Sequence, residues 1–352
     1  MKKSQEYELR KRIGDLNALC GIKRYTFNDG LEQGVRAFDL KNGRGVEMTV
    51  LADRGLDIPY FSYKGINVGF ISKTGISAPQ FYVENGAEGF LKRFFGGLLT
   101  TGGITYAGAA CVDGDRALGL HGPYDNSPAE CVRAWTDYED DEALLHVAGQ
   151  VREARVFGEN MRLERTLTLR TEQNQLLIHD EVENLGFEPQ PVMVLYHINF
   201  GYPLLDEGAR VYSSAMDVQA RNDFAQSGMD KFDLIEAPEI GREEQCYFHT
   251  RNADPAHAFA MLHNARLGLA AVVRYDANQL PQLCQWKCMR AGEYVLGLEP
   301  TSAGVLSRVE ARELGMVKTL EGGQKRAFDV TIEITQDQSV IEGYISRAVK
   351  RR

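Results

Sequence analysis

The chain has 352 residues, a formal net charge of −9 at pH 7 and a pI near 5.4. Its content of 43% hydrophobic and 25% charged residues is typical of folded globular proteins and excludes a disordered or collagen-like chain. The acidic excess also excludes a general binder of nucleic acid or of anionic membranes, because both surfaces are negatively charged.

The N-terminal segment carries two lysines but lacks the apolar run of a secretory signal. No stretch of about 18 uninterrupted apolar residues occurs, so no membrane-spanning helix is predicted. The six cysteines are too few for a disulfide scaffold and are expected to be free thiols. We therefore expect a cytoplasmic protein.

The predicted elements begin with a helical segment over residues 5–19, followed by a glycine-rich region. The run at residues 94–103 lacks the Gly-Lys-Ser/Thr ending of a phosphate-binding loop. It is instead expected to cross closely against other backbone or to line a cleft.

The central third of the sequence predicts an antiparallel meander. Strands are expected over residues 144–152, 161–170, 175–184 and 190–197, with turns at 171–174 and 185–189. Alternation along the second strand places its apolar residues on one face, which is interrupted by Arg165. The last of the four strands is apolar enough to be buried on both sides.

The C-terminal third continues this style. A hairpin is predicted over residues 258–263 and 267–275, further strands over 294–300 and 325–334, and a short helix over 340–350. No linker and no fixed-period repeat divides the chain, so a single domain over residues 1–352 is expected, built as a large β-sandwich.

Four segments contain residues that could carry chemistry. They are Leu120-His121-Gly122, His197 at a strand end, Glu299 within Gly-Leu-Glu-Pro, and the charged segment Asp53-Arg54-Gly55-Leu56-Asp57. A buried carboxylate costs several kcal/mol without a partner, so Glu299 requires a cation, a hydrogen-bond network or a cavity. The charged segment is equally compatible with a turn held by its own ion pair.

The order of these segments resembles the galactose mutarotases (aldose 1-epimerases). In that family an Arg-containing strand and a strand ending in Asn precede a strand ending in His-Pro-Tyr-Phe, as the stretch from Arg165 through Asn184 to His197 does here. Leu-His-Gly resembles the family's upstream histidine motif, and Gly-Leu-Glu-Pro resembles the strand of its catalytic glutamate. The closest likeness is to an uncharacterised bacterial branch that carries Asp-Arg-Gly-Leu-Asp and Gly-Leu-Glu-Pro.

The resemblance implies an all-β fold, an antiparallel supersandwich over residues 35–335 with few short helices. It implies an isomerase that interconverts the anomers of a small sugar in an open cleft, as a monomer or homodimer. His197 would be the general acid, Glu299 the general base, and His121 a sugar-binding residue. Neither a cofactor nor a metal is required, because a carboxylate can take the proton of the C1 hydroxyl while an imidazolium protonates the ring oxygen.

The sequence also departs from the family pattern. His197 is followed by Ile-Asn-Phe-Gly rather than Pro-Tyr-Phe. Arg54 and Lys287 are candidates for holding an anionic sugar, such as a phosphate, sulfonate or uronate, although both are equally compatible with ion-paired cations. Asp57 is a further candidate for sugar binding, and Trp286 would stack on a sugar face or lie in the core.

Two alternatives to a cofactor-free mutarotase stay open. One is a metal-assisted sugar isomerase or lyase, with His197, His263 and Glu299 as ligands of Zn, Mn or Fe. The other is a carbohydrate-binding protein without catalysis, since a fold does not fix a function.

Overall fold

The computed structural model describes residues 1–349. Strands β1 to β10 are Gly21–Thr26, Arg36–Lys41, Val46–Leu51, Phe61–Tyr63, Ile66–Asn67, Phe70–Ile71, Gly96–Gly97, Leu99–Gly102, Cys111–Asp113 and Arg116–Leu118. Strands β11 to β18 are Glu130–Glu139, Glu142–Ala154, Asn160–Arg170, Gln175–Asn184, Gln190–Val192, Leu195–Phe200, Arg210–Ser213 and Ala215–Ala220. Strands β19 to β25 are Gln245–Asn252, Ala258–Asn264, Leu269–Tyr275, Gln282–Arg290, Glu293–Thr301, Lys318–Leu320 and Lys325–Thr335.

Helices are few and short, as expected. Helices α1 to α5 are Lys3–Arg10, Gly86–Leu91, Asp223–Ser227, Arg308–Glu313 and Gln338–Arg347. The predicted N-terminal helix ends earlier than expected, and a single 3₁₀ turn, Leu16–Ala18, follows it. The helix predicted over residues 340–350 corresponds to α5. The last residue of that predicted range, Lys350, lies outside the described residues. No helix within residues 1–349 is long and apolar enough to cross a membrane.

Three antiparallel sheets make up the body of the fold. The eight-stranded sheet has the order β11-β12-β13-β14-β25-β21-β20-β17, and the six-stranded sheet has the order β18-β19-β22-β23-β16-β8. A five-stranded sheet of β1 to β5 lies beside them. One apolar cluster draws residues from all three sheets, including Leu167, Ile198 and Val50. The all-β expectation is therefore confirmed.

The central meander is confirmed through β14, but the next predicted strand differs. Residues 190–197 divide into β15 and β16, and β16 joins the six-stranded sheet rather than continuing the meander. At the break, the amide of Met193 donates to the carbonyl of Ile104, and that of Val194 to the Ser302 hydroxyl. All six residues of β16 are buried, so the apolar pattern could not indicate which sheet it enters.

Arg165, which interrupts the apolar face of β13, is fully buried in an ionic cluster. Its guanidinium donates to both oxygens of Asp180 on β14, at 2.9 and 2.7 Å, and to Asp57 Oδ1 at 2.9 Å. Tyr196 on β16 donates to Asp180 at 2.7 Å, and Thr101 on β8 donates to both oxygens of Asp57. The cluster thus connects the eight-stranded and six-stranded sheets with the turn that follows β3 of the five-stranded sheet.

The segment at residues 53–57 is a turn, but it is not held by its own ion pair. Asp53 accepts from Arg36, Arg54 pairs with Asp125 at 3.1 Å, and Asp57 pairs with Arg165. The expectation of an internal ion pair was therefore wrong, because each charge of the turn has a partner on a different segment.

Replacing Arg165 with Met should lower the free energy of unfolding by about 3–5 kcal/mol, because two buried carboxylates lose their cation. The measurement is urea denaturation monitored by circular dichroism. Arg152→Met on β12 is the control, since the pair of Arg152 with Glu130 is half exposed and should contribute at most about 1 kcal/mol. Equal losses in the two variants would contradict this account.

Candidate active site

A cavity of about 540 Å³ opens on the face of the six-stranded sheet that points away from the shared core. Histidine, acidic, cysteine and aromatic side chains line it, together with residues of the loops around Ser72 and Phe94. The cavity brings together four residues predicted from the sequence, which are His121, His197, Trp286 and Glu299.

The floor of the cavity is a row of side chains from neighbouring strands. The register of β16 with β23 pairs Leu195 with Thr301 and Asn199 with Gly297, which places His197 opposite Glu299. Side chains opposite each other on neighbouring strands share a face. His197 Nδ1 lies 3.4 Å from Glu299 Oε1, although 102 residues separate the two in the chain.

Burial makes the uncharged forms of this pair the favoured ones. Glu299 is 2% exposed, and burial raises the pKa of its carboxyl well above the usual value. Burial, helped by the neighbouring His121 ring, lowers the pKa of His197 to about 3. Both shifts favour the same arrangement, in which a protonated carboxyl lies beside a neutral imidazole.

A glycine creates the space for the Glu299 carboxyl. A Cβ atom at Gly297 would lie 2.1 Å from Glu299 Oε1, far closer than van der Waals contact. The glycine of the Gly-Leu-Glu-Pro motif is thus explained by the side chain two residues further on, which folds back over it.

His121 forms part of the cavity wall in an unusual backbone conformation. Its φ of +60° lies in the left-handed region that non-glycine residues seldom adopt. Its ring centre is 5.6 Å from that of His197, and burial lowers the pKa of the ring to about 4. Its Nδ1 is buried and makes no hydrogen bond with any of residues 1–349, as is also true of Glu299 Oε1. Unsatisfied buried polar atoms are rare, and two in one cavity indicate a place for a ligand.

Aromatic rings and charged pairs complete the site. The rings of Phe94 and Trp286 lie 5.1 and 5.3 Å from the His197 ring. Trp286 donates from Nε1 to Glu244 at 2.7 Å, and Arg221 pairs with the same carboxylate at 2.8 Å.

Phe94 belongs to the run at residues 94–103 that was expected to line a cleft. Several other lining residues were not predicted from the sequence, which are Lys73, Arg221, Glu244, Cys246, Cys284 and Glu293. Arg221 and Glu244 lie just beyond the facing ends of β18 and β19, where no local pattern marks them. Cys284 had a usable signal, since it lies on a strand two residues before Trp286 and so shares its face.

Three predicted sugar-binding residues lie outside the cavity. Arg54 is fully buried, and its guanidinium donates to Asp125 and to backbone carbonyls. Asp57 belongs to the Arg165 cluster. Lys287 points from the opposite face of β22 and pairs with Glu236 at 2.8 Å. Neither cation is therefore placed to hold an anionic sugar in the cavity.

The alternative metal site is not assembled either. His263 lies on β20 in the eight-stranded sheet, with its ring 6.4 Å from that of Tyr212, and it does not line the cavity. In the described part of the chain, no group of three or more His, Cys, Asp and Glu residues is arranged to hold a metal ion.

The raised pKa of Glu299 should make the contribution of this residue to the stability of the wild-type protein fall as the pH rises. Above the pKa of an unfolded glutamate, near 4.3, the folded state keeps a proton that the unfolded chain loses, so deprotonation favours unfolding. Glu299→Gln removes this effect. In urea denaturation we expect the free energy of unfolding of Glu299→Gln, relative to that of the wild type, to increase between pH 5 and pH 8. Parallel pH profiles for the two proteins would contradict the assignment of a buried, protonated Glu299.

Comparison with solved structures identifies the fold. A protein from Klebsiella pneumoniae, provisionally described as an aldose 1-epimerase, is 24% identical with a TM-score of 0.87, covering 93% of this chain and 86% of its own. A galactose mutarotase-like protein from Clostridium acetobutylicum (16% identity, TM-score 0.63) covers 91% of this chain and 99% of its own. The match to a galactose 1-epimerase from Lactobacillus acidophilus (16% identity, TM-score 0.60) covers 90% of this chain and 99% of that protein. At these identities the likeness establishes a galactose mutarotase-like fold.

No curated protein matches the sequence. Most of the chain, residues 32–334, matches the family described as Domain of unknown function (DUF4432). The chain therefore belongs to the DUF4432 family and has the galactose mutarotase-like fold.

Proposed function

We propose that the protein is an aldose 1-epimerase-like isomerase, which interconverts the α and β anomers of a sugar by general acid–base catalysis. His197 and Glu299 exchange protons with the sugar, and His121 and Trp286 help to bind it. The observation that carries this proposal is the juxtaposition of His197 and Glu299, 3.4 Å apart on the floor of a cavity large enough for a monosaccharide.

The pair contains the right number of protons for the reaction. Ring opening needs a base for the C1 hydroxyl proton and an acid for the ring oxygen, and closure on the other face needs the reverse. With a cyclic sugar bound, the Glu299 carboxylate takes the first proton and the His197 imidazolium gives the second. This leaves a protonated Glu299 and a neutral His197 beside the open-chain aldehyde.

Ring closure then restores the starting state. After C1 rotates, Glu299 returns its proton to the carbonyl oxygen, and His197 accepts one from the hydroxyl that re-forms the ring. The charged and neutral forms of the pair differ only in which group holds the proton, so one turnover passes through both. The neutral form, which burial favours, is the one that accompanies the open-chain sugar.

The charges around the cavity favour an uncharged aldose. The two lining cations, Lys73 and Arg221, are paired with Glu293 and Glu244. An anionic substituent would therefore have to compete with an existing carboxylate for each cation. Neutral hexoses and pentoses are the first sugars to test, with uronates and sugar phosphates as the comparison.

The direct test is anomer exchange measured by NMR, with freshly dissolved α anomers as substrates. Glu299→Gln and His197→Gln should each lower kcat by about 10²–10⁴-fold, because each removes one proton-transfer group. Glu181→Gln and His179→Gln are matched controls on β14, where both side chains face away from the cavity, and should retain full activity.

Two results would overturn this proposal. The first is that no sugar in the panel equilibrates faster than in buffer. The second is that the two variants exchange anomers as fast as the wild type. Sugar binding without exchange would favour the carbohydrate-binding alternative.

A second prediction concerns the space beneath the glutamate. Gly297→Ala places a methyl group where Glu299 Oε1 now lies, so the carboxyl must move away from His197. We expect kcat to fall by at least about 10-fold, because proton transfer depends on hydrogen-bond geometry. Gly343→Ala in α5 is the control, since its added Cβ would meet no atom within 4 Å. Unchanged turnover in Gly297→Ala would show that the observed position of the carboxyl is not the working one.

A further inference from the structure

Asn199 is a fully buried amide two residues after His197 on β16. Because alternate residues of a strand share a face, its side chain lies on the cavity side of the sheet, next to the imidazole. Asn199 Oδ1 lies 2.7 Å from His197 Nδ1, the shortest contact of that ring nitrogen. Asn199 occupies one of the two positions at which the sequence departs from His-Pro-Tyr-Phe.

The orientation of the amide follows from its other contacts. Its second polar atom lies 3.0 Å from the carbonyl oxygen of His197 and 3.2 Å from that of Gly96. Carbonyl oxygens only accept hydrogen bonds, so this atom must be the NH₂ group. The atom that faces the imidazole is therefore the amide oxygen, which offers only lone pairs, and His197 Nδ1 must carry a proton to donate.

We propose that Asn199 is a positioning residue that holds the proton of His197 on Nδ1 and thereby leaves Nε2 as the nitrogen that exchanges a proton with the sugar. The role in proton exchange rests on the proposed function, whereas the tautomer does not. In a neutral imidazole one nitrogen donates and the other accepts, so fixing the first determines the second.

Asn199 also keeps the two exchanging groups apart. His197 Nδ1 lies 3.4 Å from Glu299 Oε1, which is longer than its 2.7 Å contact with the amide. Without the amide oxygen, the carboxyl of Glu299, whose protonated form burial favours, becomes the nearest partner of Nδ1, and its O–H can donate to that nitrogen when the ring proton lies on Nε2. The two groups would then bond to each other, and Glu299 would be withdrawn from the substrate.

The tautomer can be observed without turnover. The ring of His197 is neutral at pH 7, since burial lowers its pKa to about 3. Two-bond ¹H–¹⁵N spectra of protein labelled at histidine distinguish a protonated ring nitrogen from a bare one, and His197→Gln identifies the signals. We expect His197 to show a protonated Nδ1 and a bare Nε2.

Two variants at position 199 test the cause. Asn199→Ala removes the acceptor and should shift the proton away from the pure Nδ1 form, with kcat lowered by about 10–100-fold and KM within about 2-fold. Asn199→Asp retains an oxygen acceptor and should keep Nδ1 protonated. Asn264→Ala is the control, because Asn264 is equally buried and holds backbone groups remote from the cavity. It should lower stability without changing the His197 signals.

A bare Nδ1 in the wild type, or Nδ1 protonation unchanged in a folded Asn199→Ala, would overturn the proposal. If Asn199→Ala does not fold, the wild-type spectrum alone decides the tautomer, and Asn199→Asp supplies the kinetic comparison. A wild type with protonated Nδ1 but no anomer exchange would support the tautomer assignment and overturn the proposed function, so the two failures are distinguishable.

Discussion

The buried guanidinium of Arg165 determines how the sheets of this fold come together. It lies in the eight-stranded sheet, but its partner Asp57 comes from the turn after β3, and Asp180 accepts from Tyr196 of the six-stranded sheet. Burial raises the pKa of Asp57 to about 7, opposed by Arg165 and Thr101. Buried charges are tolerated only when every member is paired, so the cluster is satisfied only if the eight-stranded sheet, the six-stranded sheet and the turn after β3 are correctly placed.

This constraint reaches the cavity through β16. Tyr196 points into the shared core and donates a hydrogen bond to Asp180. This bond fixes the position of β16 along its own axis relative to the ionic cluster. The next residue, His197, points to the other face and lies opposite Glu299. One strand thus carries a structural contact on one side and the site on the other, and the side chains on both sides are buried. Burial favours the neutral forms of the histidine and the glutamate.

The strands that alternate most clearly could be predicted from the sequence. Of the candidate site residues, His121, His197, Trp286 and Glu299 line one cavity, whereas Arg54, Asp57 and Lys287 lie outside it. A charge within an apolar stretch shows that a partner is needed, but not whether that partner is a ligand or another residue. Arg165 lies 108 residues from Asp57, and no local pattern reveals such a pairing. Asn199 did have a signal, as a polar residue two positions from His197 on a buried strand.

The rim of the cavity influences the proton at its floor. Charging Glu299 is disfavoured by burial, by Cys246 and by the negative charge of Glu244, whereas the guanidinium of Arg221 favours it. Arg221 and Glu244 are bonded to each other and act on the carboxyl in opposite directions. A sugar hydroxyl that bonds to Glu244 or Arg221 would disturb this balance. Each pKa unit by which Glu299 changes corresponds to about 1.4 kcal/mol between the charged and neutral forms of the pair. In the proposed reaction, the contacts that bind the sugar at the rim therefore also influence how readily the carboxyl of Glu299 loses its proton.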